Sequence, residues 1–152
     1  MKKANKYDTS ALTEAQFEPG SRGRVLKNKL GIKSKRWMDK VEREKQLRVI
    51  GELAGIYDAN HRFTTTDICN IHKIWLENVY EWAGKYRHVN IIKGNFHFAA
   101  AAHLPKLMNE FEEWILRKYT PCHFESMEKI IKLRMVHVYG IISTYWISRW
   151  PI

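Results

Sequence analysis

The fold is decided by a stretch of ten residues in the second half of the chain. It runs Val89-Asn90-Ile91-Ile92-Lys93-Gly94-Asn95-Phe96-His97-Phe98. β-branched and aromatic residues stand on both sides of Gly94-Asn95, and these two residue types tolerate the positive φ of a tight turn. The stretch therefore predicts a β-hairpin. Because an isolated two-stranded hairpin is only marginally stable in water, we expect it to lie against a helical body and to leave one edge free.

Two amphipathic helical patterns precede the hairpin. The first predicts a helix over residues 37–60, and the second predicts a helix that starts at Thr65 or Thr66 and ends at Gly84. His72 falls on the polar side of the second helix. The apolar positions expected to face the core are Val41, Leu47, Ile50, Leu53, Ala54 and Tyr57 in the first helix, and Ile68, Ile71, Trp75 and Val79 in the second.

A third helical pattern follows the hairpin over residues 101–119, with Pro105 in its first turn. Its apolar stripe consists of Leu104, Leu107, Met108, Phe111, Trp114, Ile115 and Tyr119. A fourth helix is predicted from near Glu125. Together with the hairpin, these helices predict a mainly α-helical bundle.

The first 36 residues are predicted to form an irregular, basic N-terminal segment, with a basic turn at residues 20–24. The 152 residues carry a net charge of +10, which raises the question of a nucleic-acid partner. No nucleic-acid-binding motif accompanies the charge, so we interpret most of it as solvated surface. Cys69 and Cys122 form no CxxC, and no apolar run is long enough for a membrane span, so we expect a cytoplasmic protein.

The residues themselves show no catalytic centre. The seven His include no HExxH motif, and GxSxG and P-loop patterns are also absent, so the sequence predicts no metal site and no catalytic residue. A triad assembled in space stays open. The hairpin edge is the one feature that suggests a binding function, because an extended segment of another protein could add to it as a strand. Ile91→Pro, which removes an edge N–H, is the test that follows, and a covered structural hairpin is the alternative.

Three segments resemble a known family: Val79-Tyr80-Glu81-Trp82-Ala83-Gly84-Lys85-Tyr86-Arg87, Lys93-Gly94-Asn95-Phe96-His97-Phe98-Ala99-Ala100 and Leu104-Pro105. They are similar to the segment before the flap, the flap and the following helix of Fic (Fido) domains of the cell-filamentation-protein kind. The resemblance extends over residues 60–137. It implies a Fic-like helical bundle within a partial domain at residues 37–152. Most family members transfer AMP from ATP to a hydroxyl side chain of a target protein, and the flap holds the target as an added strand.

By position, the resemblance assigns six residues to the target-docking edge. They are Asn90, Ile91, Ile92, Lys93, Gly94 and Phe96. The partner implied at this edge is a protein target, and an antitoxin-like partner is a further possibility that the family raises.

In the family, the chemistry belongs to a loop of the form His-x-Phe-x-Asp/Glu-Gly-Asn-Gly-Arg, whose acidic residue holds Mg²⁺ and whose backbone cradles the phosphates of ATP. By position the catalytic His would fall near Thr144, but no His follows His137 and no Gly-Asn-Gly occurs. We therefore expect a C-terminally truncated domain that lacks the family's last helices, binds neither ATP nor Mg²⁺ and is inactive. Residues 138–152 carry Arg149 as their one charge, which suggests a shifted reading frame. The alternative function is a non-enzymatic protein-binding module that uses the hairpin edge.

Overall fold

A computed structural model describes residues 12–93 and 95–121. The predicted fourth helix near Glu125, the tail at residues 138–152, Cys122 and Gly94 of the hairpin turn lie outside these residues. The elements are α1 (Lys35–Ile56), α2 (Thr65–Leu76), β1 (Ile92–Lys93), β2 (Phe96–His97), α3 (Leu104–Phe111) and α4 (Arg117–Tyr119), with 3₁₀ turns at Thr13–Ala15 and Ala101–His103 and a π turn at Glu112–Leu116. The prediction of a mainly helical fold with one hairpin is confirmed.

One hydrophobic core joins the N-terminal segment, α1, α2 and the turns that follow α2. Its buried members are Val25, Leu26, Met38, Val49, Trp75, Leu76, Val79, Tyr80, Trp82 and Ala83. Before α1, the described chain is irregular apart from the turn at Thr13–Ala15 and a single bridge between Phe17 and Leu26. In the described part of the chain, no helix is long and apolar enough to cross a membrane.

Helix α1 confirms the predicted helix, although its boundaries differ. Ser34 caps it by accepting a hydrogen bond from the Trp37 N–H (3.4 Å), so the helix begins two residues early. It ends at Ile56 because Asp58 starts a turn of its own, in which its carboxylate accepts the N–H of Asn60 (2.9 Å). Asp side chains commonly form such turns and compete with helix continuation.

The predicted core face of α1 is wrong at Leu47, Ile50 and Ala54, which are exposed. The exposed fractions of Leu47 and Ile50 are 66% and 59%. The core side of the helix instead includes Glu42, a residue that a hydrophobic pattern scores as polar. Tyr80 O–H donates to the Glu42 carboxylate (2.6 Å) and Trp75 Nε1–H donates to the Glu42 carbonyl (2.9 Å), and these bonds offset the cost of burying the group.

Helix α2 starts from a capping box one residue before the predicted caps. The Thr64 hydroxyl accepts the Asp67 N–H (3.2 Å), and the Asp67 carboxylate accepts the Thr64 N–H (2.8 Å) in return. The carboxylate of Glu112, from the π turn, accepts both the N–H and the hydroxyl hydrogen of Thr65 (2.8 Å each). These bonds hold the pKa of the Glu112 carboxyl below its usual range and join the start of α2 to the helical segment after the hairpin.

The predicted end of α2 at Gly84 is wrong, because the helix ends at Leu76 and turns occupy residues 77–84. Gly84 has a φ of +78°, and a Cβ there would lie 2.7 Å from the Cβ of Lys73 and 3.0 Å from the carbonyl oxygen of Cys69. A glycine is therefore required because the turn packs back against the helix it has just left. The helix itself ends without it.

The prediction that His72 lies on a polar side is also wrong, since His72 is fully buried. Its ring stacks on Trp82 with centroids 5.9 Å apart, and its Nδ1 accepts the N–H of Gly84 (2.8 Å). Burial lowers the pKa of His72 from its ordinary 6.5 to about 3. A neutral imidazole thus connects α2 to the turn that leads to the hairpin.

The segment after the hairpin confirms the predicted helix over residues 101–119, since 3₁₀, α and π turns follow each other without a break. The predicted apolar stripe is wrong at Trp114, which is 75% exposed, whereas Leu116 is buried. The π turn at Glu112–Leu116 explains the shift, because a wider turn rotates every later side chain relative to an α-helical pattern.

We expect Thr64→Ala to lower the free energy of unfolding by about 1 kcal/mol, because the N-terminal N–H groups of α2 lose their side-chain acceptor. Urea unfolding of the whole chain measures the change. Thr66→Ala is the matched control: Thr66 is exposed and does not cap the helix, so its effect should stay within about 0.5 kcal/mol. Equal losses for the two variants would contradict the assignment of the cap.

The buried His72 makes stability depend on pH. Its folded pKa is depressed, so between pH 6.5 and about 3 the unfolded chain binds a proton that the folded chain does not, and stability falls as the pH falls through this window. From pH 7 to pH 5 this group alone should remove about 2 kcal/mol from the free energy of unfolding. In urea titrations, His72→Asn should reduce the difference between the two pH values by that amount. Replacement of the exposed His103 by Asn should leave it unchanged, and an unaltered difference in His72→Asn would refute the prediction.

Candidate functional site

The hairpin has a register that fixes which backbone groups face outward. Ile92 lies opposite His97 and Lys93 opposite Phe96, and the Phe98 N–H donates to the Ile91 carbonyl (3.1 Å). Opposed residues in an antiparallel pair alternate between hydrogen-bonded and non-hydrogen-bonded pairs. Ile91 and Phe98 form a hydrogen-bonded pair, so Ile92 and His97 form a non-bonded one, and the N–H and C=O of Ile92 point to the outer edge of β1.

This register corrects the residue expected to offer the edge N–H. The test by Ile91→Pro assumes that the N–H of Ile91 points outward. In the structure, the N–H and C=O of Ile91 face β2. Ile92 is the β1 residue whose N–H and C=O are directed toward an added strand. The predicted hairpin is confirmed, and the outward N–H falls one residue later because inward and outward backbone groups alternate along the strand.

Exposed apolar side chains lie on both faces of the hairpin. Successive residues of a strand alternate between faces, so Ile92 projects on one face and Phe96 on the other. Both are exposed, at 58% and 44% respectively. The ring of Phe98, half-buried, packs edge-on against that of Phe96 with centroids 4.8 Å apart. An extended segment added to β1 would therefore meet both main-chain partners and apolar contact.

The six residues that the sequence assigns to docking occupy different places. Ile92 and Phe96 are exposed, and Ile91 is half-buried. Lys93 contributes backbone to β1, and Gly94 lies outside the described residues. Asn90 has an anchoring role in the structure, because its side-chain oxygen accepts the Ala101 N–H (2.9 Å) and so joins the start of the hairpin to the following helical segment.

Arg87 holds the base of the hairpin, and sequence reasoning gave it no role. The side chain is fully buried. Its Nη1–H donates to the carbonyl of Val89 (2.6 Å) and its Nη2–H donates to the carbonyl of Ala99, so that one guanidinium joins the two ends of the hairpin. The one signal in the sequence is a permanently charged residue directly before an apolar strand pattern.

Glu14 brings the N-terminal segment to the same place. It is buried, and its carboxylate accepts the backbone N–H of His88 (2.6 Å) and lies 3.4 Å from the Nδ1 of the same residue. Burial lowers the pKa of the Arg87 guanidinium, and the negative charge of Glu14 opposes this shift. The buried cation is thus compensated by two carbonyls and by a carboxylate from a distant part of the sequence.

The chemistry that these residues support is recognition. Within residues 12–93 and 95–121, no three His, Cys, Asp or Glu side chains come together in a way that could hold a metal ion. Cys69 is half-buried, and burial raises the pKa of its thiol, so the thiolate that nucleophilic catalysis needs is disfavoured. What the site offers is an anchored strand edge with outward N–H and C=O groups.

The comparison with family models gives one match. Residues 62–144, more than half of the chain, match the model described as the Fic/DOC family. The matched range contains α2, the hairpin, α3 and α4. None of the curated proteins matches the sequence significantly.

Solved structures of similar fold are Fic domains of Bartonella effector proteins. The N-terminal Fic domain of a Bep effector from Bartonella sp. AR 15-3 is 22% identical with a TM-score of 0.65, over 91% of this chain and 64% of that one. BepC from Bartonella tribocorum, solved with AMPPNP, is 14% identical with a TM-score of 0.71, over 95% and 72%. A Fic domain from Bartonella quintana, solved with ADP, is 16% identical with a TM-score of 0.66, over 82% and 64%. The chain thus spans less than two thirds of the length of the first and third of these structures. At these identities, the structural similarity shows that this chain shares their fold.

Proposed function

The chain belongs to the Fic/DOC family, and on that premise we propose that it binds an extended segment of a target protein along the outer edge of β1. The observation that carries this proposal is the register of the hairpin, which directs the N–H and C=O of Ile92 outward, next to the exposed apolar side chain of the same residue. Strand addition obtains affinity from such main-chain groups and specificity from the flanking side chains. In the family, this edge holds the target protein.

The second part of the proposal concerns chemistry. The loop His-x-Phe-x-Asp/Glu-Gly-Asn-Gly-Arg does not occur among the 152 residues. In the family that loop supplies the base that removes the proton from the target hydroxyl, the Mg²⁺ ligand and the phosphate cradle. We propose that these 152 residues alone dock a protein without transferring AMP to it, and that they take up neither ATP nor Mg²⁺. An antitoxin-like partner stays a prediction of the resemblance.

Ile92→Pro tests the docking edge. It removes the N–H that points outward, and proline is tolerated at the edge of a sheet, so the hairpin should persist. Displayed random peptides that bind the chain are selected first, and their affinities are then measured by calorimetry. We expect Ile92→Pro to weaken the selected peptides about tenfold or more.

His97→Pro is the matched control, because it removes the outward N–H of the opposite strand β2. It should leave peptide affinity unchanged. In the free chain the Ile92 amide should exchange rapidly with solvent, and a bound peptide should protect it. Peptides that bind Ile92→Pro and the original chain equally well would count against docking at this edge.

The inactivity of the 152 residues is tested with ATP labelled on its α-phosphate, in the presence of Mg²⁺. We expect no label on the chain or on a mixture of cell proteins, because base, metal ligand and phosphate cradle are all missing from the sequence. Calorimetry with ADP gives an independent measure, and the Bartonella quintana Fic domain, solved with bound ADP, is the positive control. Label incorporation that requires this chain would overturn the second part of the proposal.

A further inference from the structure

Side chains, more than strand pairing, hold the hairpin together at its base. The ladder consists of two residues on each strand, and a two-stranded hairpin of that size is marginal by itself. Three further bonds close its base: those from the Arg87 guanidinium to the Val89 and Ala99 carbonyls, and that from the Ala101 N–H to the Asn90 side chain. The direction in which the docking edge points therefore depends on the base.

We propose that Arg87 is the positioning residue of the docking edge and that Glu14 of the N-terminal segment holds Arg87 in its working position. This inference rests on the function proposed above, since it concerns the orientation of the same edge. Arg87 does not touch the proposed partner and acts through the backbone it fixes.

The geometry requires an arginine at this position. A guanidinium is a planar fork whose donors are fixed relative to each other, so it can engage two carbonyls of different chain segments at a set spacing. An ammonium group is a single point charge and would satisfy one carbonyl at a time. Lysine at position 87 would thus keep the charge and lose the cross-link between Val89 and Ala99.

Glu14 explains why the cation can stay buried. An uncompensated buried charge is strongly unfavourable, and a carboxylate at hydrogen-bonding distance from the neighbouring backbone N–H provides both a counter-charge and a fixed attachment. Glu14 lies 74 residues before His88 in the sequence. The N-terminal segment therefore acts on the hairpin from outside it, and displacement of that segment would loosen the docking edge.

Amide hydrogen exchange of the whole 152-residue chain tests the proposal without any partner. The reporters at the hairpin are the Phe98 amide, which donates to Ile91, and the Ala101 amide, which donates to Asn90. The reference is the Tyr80 amide, which donates to Leu76 in the core (2.9 Å). In Arg87→Lys we expect the two hairpin amides to exchange about tenfold faster and the Tyr80 amide to be unchanged.

Equal acceleration of all three amides would assign Arg87 a general role in stability and overturn the proposal, and so would no acceleration at all. Should Arg87→Lys fail to fold, Glu14→Gln decides, because it keeps Arg87 and the hydrogen-bond acceptor but removes the counter-charge. We expect it to accelerate exchange at Phe98 by about threefold or more. Glu18→Gln is the matched control: Glu18 lies in the same segment, its carboxylate accepts the Asn28 N–H (3.2 Å), and its loss should leave Phe98 exchange unchanged.

The two proposals fail separately. Peptide binding that Ile92→Pro abolishes and Arg87→Lys leaves intact would remove the positioning role and leave the docking function standing. Selective acceleration of the hairpin amides in a chain that binds no peptide would support the role of Arg87 in orienting the hairpin and would remove the docking function.

Discussion

The buried guanidinium of Arg87 is the constraint on which the placement of the hairpin depends. Placing a permanent charge inside a protein is costly unless donors and counter-charge are satisfied. Here the donors reach carbonyls on both ends of the hairpin, and the counter-charge comes from Glu14. Because every one of these groups is needed to keep the cation in place, the N-terminal segment, the chain before β1 and the chain after β2 are held in a fixed relation.

A second fixed point lies one turn earlier in the chain. His72 is neutral and buried, and it accepts the N–H of Gly84, whose positive φ and close contact with α2 leave room for no side chain. The turn from α2 to the hairpin is therefore set by a hydrogen bond and by steric exclusion together. Arg87 follows Gly84 after two intervening residues, so the position of the hairpin on the helical body is determined over a short length of backbone.

Local signals made the hairpin and the helices predictable from the sequence. Gly94-Asn95 between strand formers, and apolar residues at helical spacing, act within a few residues of each other. Several errors arose where a distant group or a local change of helix type decides the outcome. Glu42 can lie in the core because the Tyr80 hydroxyl donates a hydrogen bond to its carboxylate. His72 can lie there because its ring accepts the N–H of Gly84. Trp114 is turned away from the core side by a π turn. Arg87 had only a weak signal, a charged residue before a strand pattern, since its two carbonyl partners become neighbours only after the hairpin has folded.

The proposed function separates docking from chemistry within the fold. The groups that anchor the hairpin base all lie within the described residues, and they belong to Glu14, Arg87, Val89, Asn90, Ala99 and Ala101.

None of these groups belongs to the loop that carries AMP transfer in the family, and none of their contacts needs that loop to form. The edge of β1 is held by the N-terminal segment and by the start of the helical segment after the hairpin, on the two sides of the hairpin base. In the proposed function, recognition of an extended protein segment is a property of the hairpin and its base, and the transfer reaction of the family is an additional property that a further part of the fold has to supply.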